Sequence, residues 1–420
     1  MSPQPETIAA PSVAKALGPG LITGAADDDP SGIATYSQAG AQFGYSLGWV
    51  MLFSYPLMAA TQVISARIGA VTGQGIASNL KRHYSPWLLR AAVFLLLVAN
   101  IANLGADLGA MGAALQLLIG GPLMAYTIGF ALLSIVAEVW ISYTRYASIL
   151  KWLTFSLFAY VGVVFAVHVP WLSVIKNLVI PDIKIDSAHA QTMVAILGTT
   201  ISPYLFFWQA AQECEEQRGR KIECLLHNDN AKAELRQIDI DTWVGMGYSN
   251  LIALFIIIAT AATLHAAGQT DIQTAGQAAE ALRPIAGAFT FWLFAAGIIG
   301  TGLLAVPVLA GSAAYALSET MGWSEGLDML PRRARGFYGT IAVATLAGLG
   351  LNFTGIDPIK ALYWSAVLNG VLAAPLMVVM LLIATNREVM GGLVLPLWLR
   401  ALGWLATLVM MAASVAFLVL

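Results

Sequence analysis

Apolar runs of spanning length recur along this chain, separated by short polar connectors, and predict about eleven transmembrane helices, since a helix needs about twenty apolar residues to cross a bilayer. The runs are 17–44, Leu47–Ala70, Leu88–Ile119, Pro122–Trp140, Ile149–Val169, Thr192–Gln217, Thr242–Ala266, Ile285–Leu317, Gly336–Leu351, Pro358–Ala384 and Leu393–Leu420. Two of them are interrupted. The first carries Ala26-Asp27-Asp28-Asp29-Pro30-Ser31-Gly32 in mid-run, and the sixth carries Gly198-Thr199-Thr200-Ile201-Ser202-Pro203-Tyr204. Proline removes a helical donor, and backbone freed at bilayer depth is tolerated only where it is buried in protein or lines a cavity. Both runs therefore read as broken helices.

Each interrupted run opens a set of five. That spacing points to a 5+5 inverted repeat with a site at the bilayer midplane. The division is a polar tail over 1–16, a first repeat over 17–169, a second over 192–384, and a last helix over 393–420. No residue-level identity links the halves, so the repeat rests on the breakers alone.

Composition agrees with this all-α, polytopic picture. Of 420 residues 58% are hydrophobic and 10% charged, with mean hydropathy +0.75, which excludes an ordinary soluble domain. Lys and Arg concentrate on one side. With the N-terminus inside, Lys15, Lys81, Arg82, Arg90, Arg145, Lys151, the 218–236 stretch, Arg332, Arg333, Arg335 and Arg387 are cytosolic, and only Lys176, Lys184, Arg283 and Lys360 face out. The longest inner loop, Arg218–Asp241, has alternating charge and is expected to form at most a short surface helix. Residues 1–16 lack an apolar core, so no cleavable signal peptide is expected. Cys214 and Cys224 lie at the cytosolic side, where a disulfide is not expected. No basic patch suits nucleic acid, and no nucleotide loop, zincin helix or nucleophile elbow is present. An enzyme or ATP-driven pump is disfavoured.

The first break carries the chemistry. A carboxylate at bilayer depth costs roughly 2.5 to 3.5 kcal/mol on insertion scales, so three in succession require water, partners, protons or a cation. The competing reading is a solvated turn between two segments, which 17–26 is too short to support. Successive helical residues point about 100° apart, so Asp27, Asp28 and Asp29 cannot all face one ion without unwinding. Asp29, before Pro30, is the leading ligand; the others hold an electronegative vestibule or add one further oxygen. The sixth run contributes Thr199, Thr200, Ser202 and Tyr204, oxygen donors with no thiol or thioether, which suits hard divalent cations. For each hydroxyl a back-bond to the preceding turn is an equal alternative.

Further polar groups mark a pathway. Gln209, Gln212, Glu213 and Glu216 form an i, i+3, i+4, i+7 stripe that leads towards the cytosol or simply a solvated helix end. Asn100, Asn103 and Asp107 share a face of the third run, Asp107 as a functional candidate and the Asn pair as candidates for interhelical hydrogen bonding. Glu138 and His168 read as interfacial.

Gly18-Pro19-Gly20, Asp29-Pro30-Ser31-Gly32 and Gln38-Ala39-Gly40-Ala41-Gln42-Phe43-Gly44-Tyr45 resemble the NRAMP divalent-metal transporters, whose first helix carries Asp-Pro-Gly-Asn. The sixth break resembles their Met-Pro-His region. The resemblance covers most of the chain and implies a LeuT-like fold. Departures are specific: Gly32 replaces the motif's Asn, Ser202 its Met, and Tyr204 its His. The family's paired acids in the third helix fall on Leu104 and Asp107, and its tenth-helix Gln finds no match near Ala366 and Val367. This pattern is similar to the NRAMP-related magnesium transporters. Loss of the thioether removes the preference for Mn²⁺ or Fe²⁺, and Gly32 leaves room for an ion that keeps some water.

The expectation is a secondary transporter in the plasma membrane that imports Mg²⁺, with Mn²⁺ also passing, as partly hydrated ions and without proton coupling. It needs no cofactor beyond its metal substrate; its surroundings are the lipid bilayer, no nucleic acid is expected, and protein partners are left open. The proposed metal site is Asp29, Asp28, the Ala26 carbonyl, Gly32, Thr199, Ser202 and Tyr204; Asp27, Asn103, Asp107, Gln209, Gln212 and Glu213 line the pathway. The alternatives are a proton-coupled Mn²⁺/Fe²⁺ importer, a LeuT-fold symporter of an organic solute, and a membrane receptor built around the inner loop.

Overall fold

The computed structural model describes residues 19–141, 155–184, 186–220, 224–227 and 230–420. The N-terminal tail, Gly18, Arg145, the start of the fifth run with Lys151, and Lys221 lie outside the described residues. Those described are helical, with no strand among them.

The first run folds as two short helices, α1 (Pro19–Asp27) and α2 (Pro30–Phe43). α3 (Gly48–Thr72), α4 (Ile76–His83), α5 (Pro86–Ile119) and α6 (Leu123–Trp140) follow. The described part of the fifth run contains α7 (Phe158–Ala166), and the next connector contains α8 (Trp171–Val179). The sixth run is again split, into α9 (Ser187–Thr200) and α10 (Pro203–Gly219). Then come α11 (Ala231–Thr260), α12 (Thr290–Met321), α13 (Arg335–Leu351), α14 (Pro358–Thr385) and α15 (Leu397–Val419).

Among the described residues, nine helical spans are long and apolar enough to cross a membrane. The first run is absent from that number because its halves are only 9 and 14 residues long. The fifth is absent because it is described only in part.

Both breaks have the same local cause. The residue before a proline is pushed out of the α region, while proline itself fits the first helical position, where no donor is needed. Asp29 (φ −71°, ψ 170°) precedes Pro30, and Ser202 (φ −78°, ψ 132°) precedes Pro203. α1 packs on α11, and α9 on α14. Small residues permit this: a Cβ on Gly24 would lie 2.2 Å from the Gly245 carbonyl oxygen, and one on Gly198 would lie 2.1 Å from that of Ala366. The periphery is apolar, with Leu132, Leu133 and Val136 of α6 and Leu405, Leu408 and Val415 of α15 exposed where lipid would stand.

Two expectations change. α11 begins at Ala231, so much of the polar stretch before Asp241 is the first turns of a spanning helix. Asp239 holds Arg67 of α3 through two bonds of 2.8 and 2.5 Å, and Asp241 accepts from the Gly20 N–H at 2.7 Å. These acids anchor α3 and α1. Glu138, near the end of α6, is 7% exposed, and neither of its carboxylate oxygens has a partner, so it is enclosed by protein and not solvated. Among the described residues, neither Cys214 nor Cys224 is in a disulfide.

Candidate metal site

The two breaks meet. Asp29 caps α2: its Oδ1 accepts from the Gly32 N–H at 2.7 Å and the Ser31 hydroxyl at 2.6 Å. An N-cap carboxylate is favoured there because it satisfies orphan donors and faces the positive end of the helix dipole. The second oxygen, Oδ2, points to the other break, where the Tyr204 hydroxyl lies 3.3 Å from it and 3.3 Å from the Ala26 carbonyl oxygen. These spacings are long for O–H···O bonds, whose usual length is about 2.7–2.8 Å. They are close to the edge of an octahedral oxygen shell, about 3.0 Å for an ion-to-oxygen distance of about 2.1 Å. Asp29 and Tyr204 are 2% and 1% exposed, so the gap is shut from water.

The three acids diverge, as helical spacing requires. Asp27 and Asp28 turn to α11, where the Ser249 hydroxyl lies 2.6 Å from one and 3.1 Å from the other. One hydroxyl carries one proton, so the second contact brings oxygen lone pairs together unless a cation or proton intervenes. Asp27 Oδ1 and Asp28 Oδ2 have no partner. No ion pair among the described residues involves Asp27, Asp28, Asp29 or Asp107. Nor, among them, do three or more His, Cys, Asp or Glu side chains converge on one metal position. The oxygens that meet at the gap are one carboxylate together with carbonyl and hydroxyl oxygens.

The hydroxyls of the second break turn back on their own helix. Ser202 donates to the Gly198 and Thr199 carbonyls at 2.8 and 2.9 Å, and Thr200 to Ile196 at 3.0 Å. Thr199 lies 2.9 Å from the Ile196 carbonyl and 3.0 Å from the Tyr36 hydroxyl. The Ser202 and Thr199 oxygens retain lone pairs, but neither contacts Asp29. Gly32 acts through its N–H, and a Cβ there would lie 3.2 Å from the Tyr36 ring.

On the α10 stripe, Gln209, Gln212 and Glu213 each have a side-chain partner. The Thr23 hydroxyl donates to Gln209, whose amide donates to Glu213 at 3.0 Å, so α1 and α10 are tied towards the Gly20 end. Gln212 is half-buried, 3.5 Å from the Tyr315 hydroxyl. Glu215 accepts from that hydroxyl at 2.5 Å and from the Leu327 N–H at 2.9 Å, so this helix end is fastened and not merely solvated. On α5, Asn100 donates to the Leu309 carbonyl and the Ser312 hydroxyl of α12. Asn103 and Asp107 are fully buried, and none of their side-chain polar atoms has a partner.

The family model described as natural resistance-associated macrophage protein-like matches residues 20–420. The chain belongs to the Nramp family. It is 27% identical over 410 residues to the divalent metal cation transporter MntH of Klebsiella pneumoniae (strain 342), covering 95% of this chain and 92% of that protein. A MntH of Deinococcus radiodurans is 26% identical over 412 residues, covering 95% and 88%. The manganese transporter of Eremococcus coleocola superposes with TM-score 0.76 at 18% identity, over 98% of this chain and 88% of that one. Mhp1, a nucleobase-cation-symport-1 family transporter, superposes in a closed conformation with TM-score 0.53 at 15% identity, over 94% and 92%. These two likenesses show the fold: this Nramp chain is an all-helical, LeuT-like bundle.

Several polar groups were not singled out from the sequence. Ser249 and Tyr36 are met only through tertiary contact. Gln62 of α3 and Asn369 of α14 are fully buried with both amide atoms unpartnered. An isolated amide within an apolar run was the available signal for both, the same one that marked Asn103. Asn369 precedes Gly370, which packs on Gly198 beside the second break.

Proposed function

We propose that this Nramp chain is a multi-pass plasma-membrane transporter that imports divalent cations, Mg²⁺ and also Mn²⁺, as partly hydrated ions by alternating access and without proton coupling. The observation that carries this is the meeting of the Asp29 carboxylate, the Ala26 carbonyl and the Tyr204 hydroxyl in a gap between broken helices, with only oxygen donors at hand. Oxygen-only donors suit hard cations, and Mg²⁺ in particular keeps several waters on binding. The names of the MntH relatives, divalent metal cation transporters, support the coarser part of the reading. Ser202, in place of the family's Met, supports the finer part and the likeness to the magnesium-transporting branch.

Asp29 is assigned as principal ligand, with the Ala26 carbonyl and Tyr204. Asp28, Gly32, Thr199 and Ser202 complete the surroundings through second contacts or retained water. Asp27, Asn103, Asp107, Gln209, Gln212 and Glu213 form the polar route on either side. The bias of Lys and Arg supports a cytosolic N-terminus and, with eleven spans, an external C-terminus.

One observation favours a second reading, the proton-coupled Mn²⁺/Fe²⁺ importer. Asp107 is fully buried, unpartnered and within electrostatic reach of Asp29, a setting in which a carboxylate exchanges protons. Uptake of Mg²⁺ and Mn²⁺ into proteoliposomes holding a pH-sensitive dye separates the two. The first reading expects metal entry without acidification and none with Asp29→Ala. Acidification matched to Mn²⁺ entry, with Mg²⁺ excluded, establishes the second instead.

A further inference from the structure

A cavity of about 330 Å³ lies beyond the second turn of α2, between that helix, the start of α9, the start of α14 and the 271–272 segment. It is separate from the buried gap at Asp29. Ala34, Gln38 and Gln42 line it from one face of α2, and on that face the preceding position is Ser31, whose hydroxyl bonds Asp29. From Ala34 to Asp29 is about 7.5 Å along the helix, at about 1.5 Å per residue. Two of its lining residues, Thr192 on α9 and Tyr363 on α14, meet through hydroxyls 2.9 Å apart.

We infer that this cavity is an outer docking subsite for a divalent cation that still carries its complete water shell. The inference rests on the transport reading above and extends it to the step before dehydration. Size is the first support: a hexahydrated Mg²⁺, with ion-to-oxygen distances of about 2.1 Å and a water radius of about 1.4 Å, fills about 180 Å³. The volume of the cavity exceeds that of the hydrated ion.

Donor chemistry is the second support. Apart from Asp271 the acceptors are neutral: the carboxamides of Gln38, Gln42 and Gln191 and the hydroxyls of Thr192 and Tyr363. Such groups accept hydrogen bonds from metal-bound water without displacing it, because Mg²⁺ gives up water reluctantly. The third support is rigidity. Gln38 accepts from the Ile272 N–H at 2.9 Å and donates to the Thr270 carbonyl and to Gln42, each at 3.2 Å, so it pins the segment bearing Asp271 against α2. Lys360 also lines the cavity and is exposed; no ion pair joins it to Asp271. Its charge caps the affinity, which suits a subsite that must release its ion inward.

Hexaamminecobalt(III) tests this, since it has the size and outward-pointing donors of the hydrated ion and does not exchange its ligands. Added outside right-side-out proteoliposomes, it is expected to inhibit Mg²⁺ uptake competitively. Asp271→Asn and Gln191→Leu should each weaken inhibition about fivefold, the worth of one hydrogen bond, and Lys360→Gln should strengthen it. Calorimetry on the purified protein keeps the result independent of transport: Asp29→Ala should bind hexaamminecobalt(III) as the parent does. No binding, binding unchanged by Asp271→Asn and Gln191→Leu, or binding lost with Asp29→Ala overturns the inference. If binding follows Asp271 while Mg²⁺ fails to enter, the subsite stands and the transport reading falls.

Discussion

The two breaks share a backbone recipe and differ in what they present. At Asp29-Pro30 and Ser202-Pro203 the proline forces the preceding residue out of the helix and opens the next one. The first break aims a carboxylate across the gap, while the second turns its serine inward onto the Gly198 and Thr199 carbonyls and offers a phenol from Tyr204. A charged donor faces a neutral one. The carboxylate at the gap thus comes from one half of the molecule and the phenol from the other.

The largest expected effect comes from removing the charge. Asp29→Ala should reduce Mg²⁺ and Mn²⁺ uptake in proteoliposomes to the protein-free background; retained uptake would place the site elsewhere. Next comes the packing behind the second break. Gly198→Val forces side-chain atoms into the Ala366 carbonyl and should destabilise by about 1–3 kcal/mol, as overpacking does. A thermal unfolding shift reads this, with Gly129→Ala as a control, since nothing lies near that position.

Tyr204→Phe sharpens the comparison from the second break. Loss of its hydroxyl should raise the KM for Mg²⁺ about tenfold, roughly 1.4 kcal/mol, with the fold unchanged by circular dichroism. Ser202→Met adds a soft donor at that break and should shift preference from Mg²⁺ to Mn²⁺ and Cd²⁺ by about tenfold; unchanged competition between the ions would refute the selectivity assignment. Smallest is Ser202→Ala. Its hydroxyl bonds only its own helix, so uptake should change less than about threefold, consistent with the low worth of such back-bonds.

The sequence by itself determined the helices and both interruptions. Apolar length and X-Pro geometry are local properties, fixed by bilayer thickness and by sterics between neighbouring residues, and both breaks stand where the prolines put them. Three adjacent acids in an apolar run marked a candidate site for the same reason, since their cost is calculable without knowing their neighbours. Direction was not legible. Which acid faces Tyr204 and which face Ser249 depends on how α1 lies against α11 and how α2 meets α9, and the first of these placements is set by close glycine contacts such as Gly24 on Gly245, far apart in the chain. The same holds for Asp239 and Asp241, which looked like loop charges and instead fasten α3 and α1, and for Glu138, which looked interfacial and is enclosed. Burial and pairing depend on contacts between distant parts of the chain, so only the tertiary structure decided them.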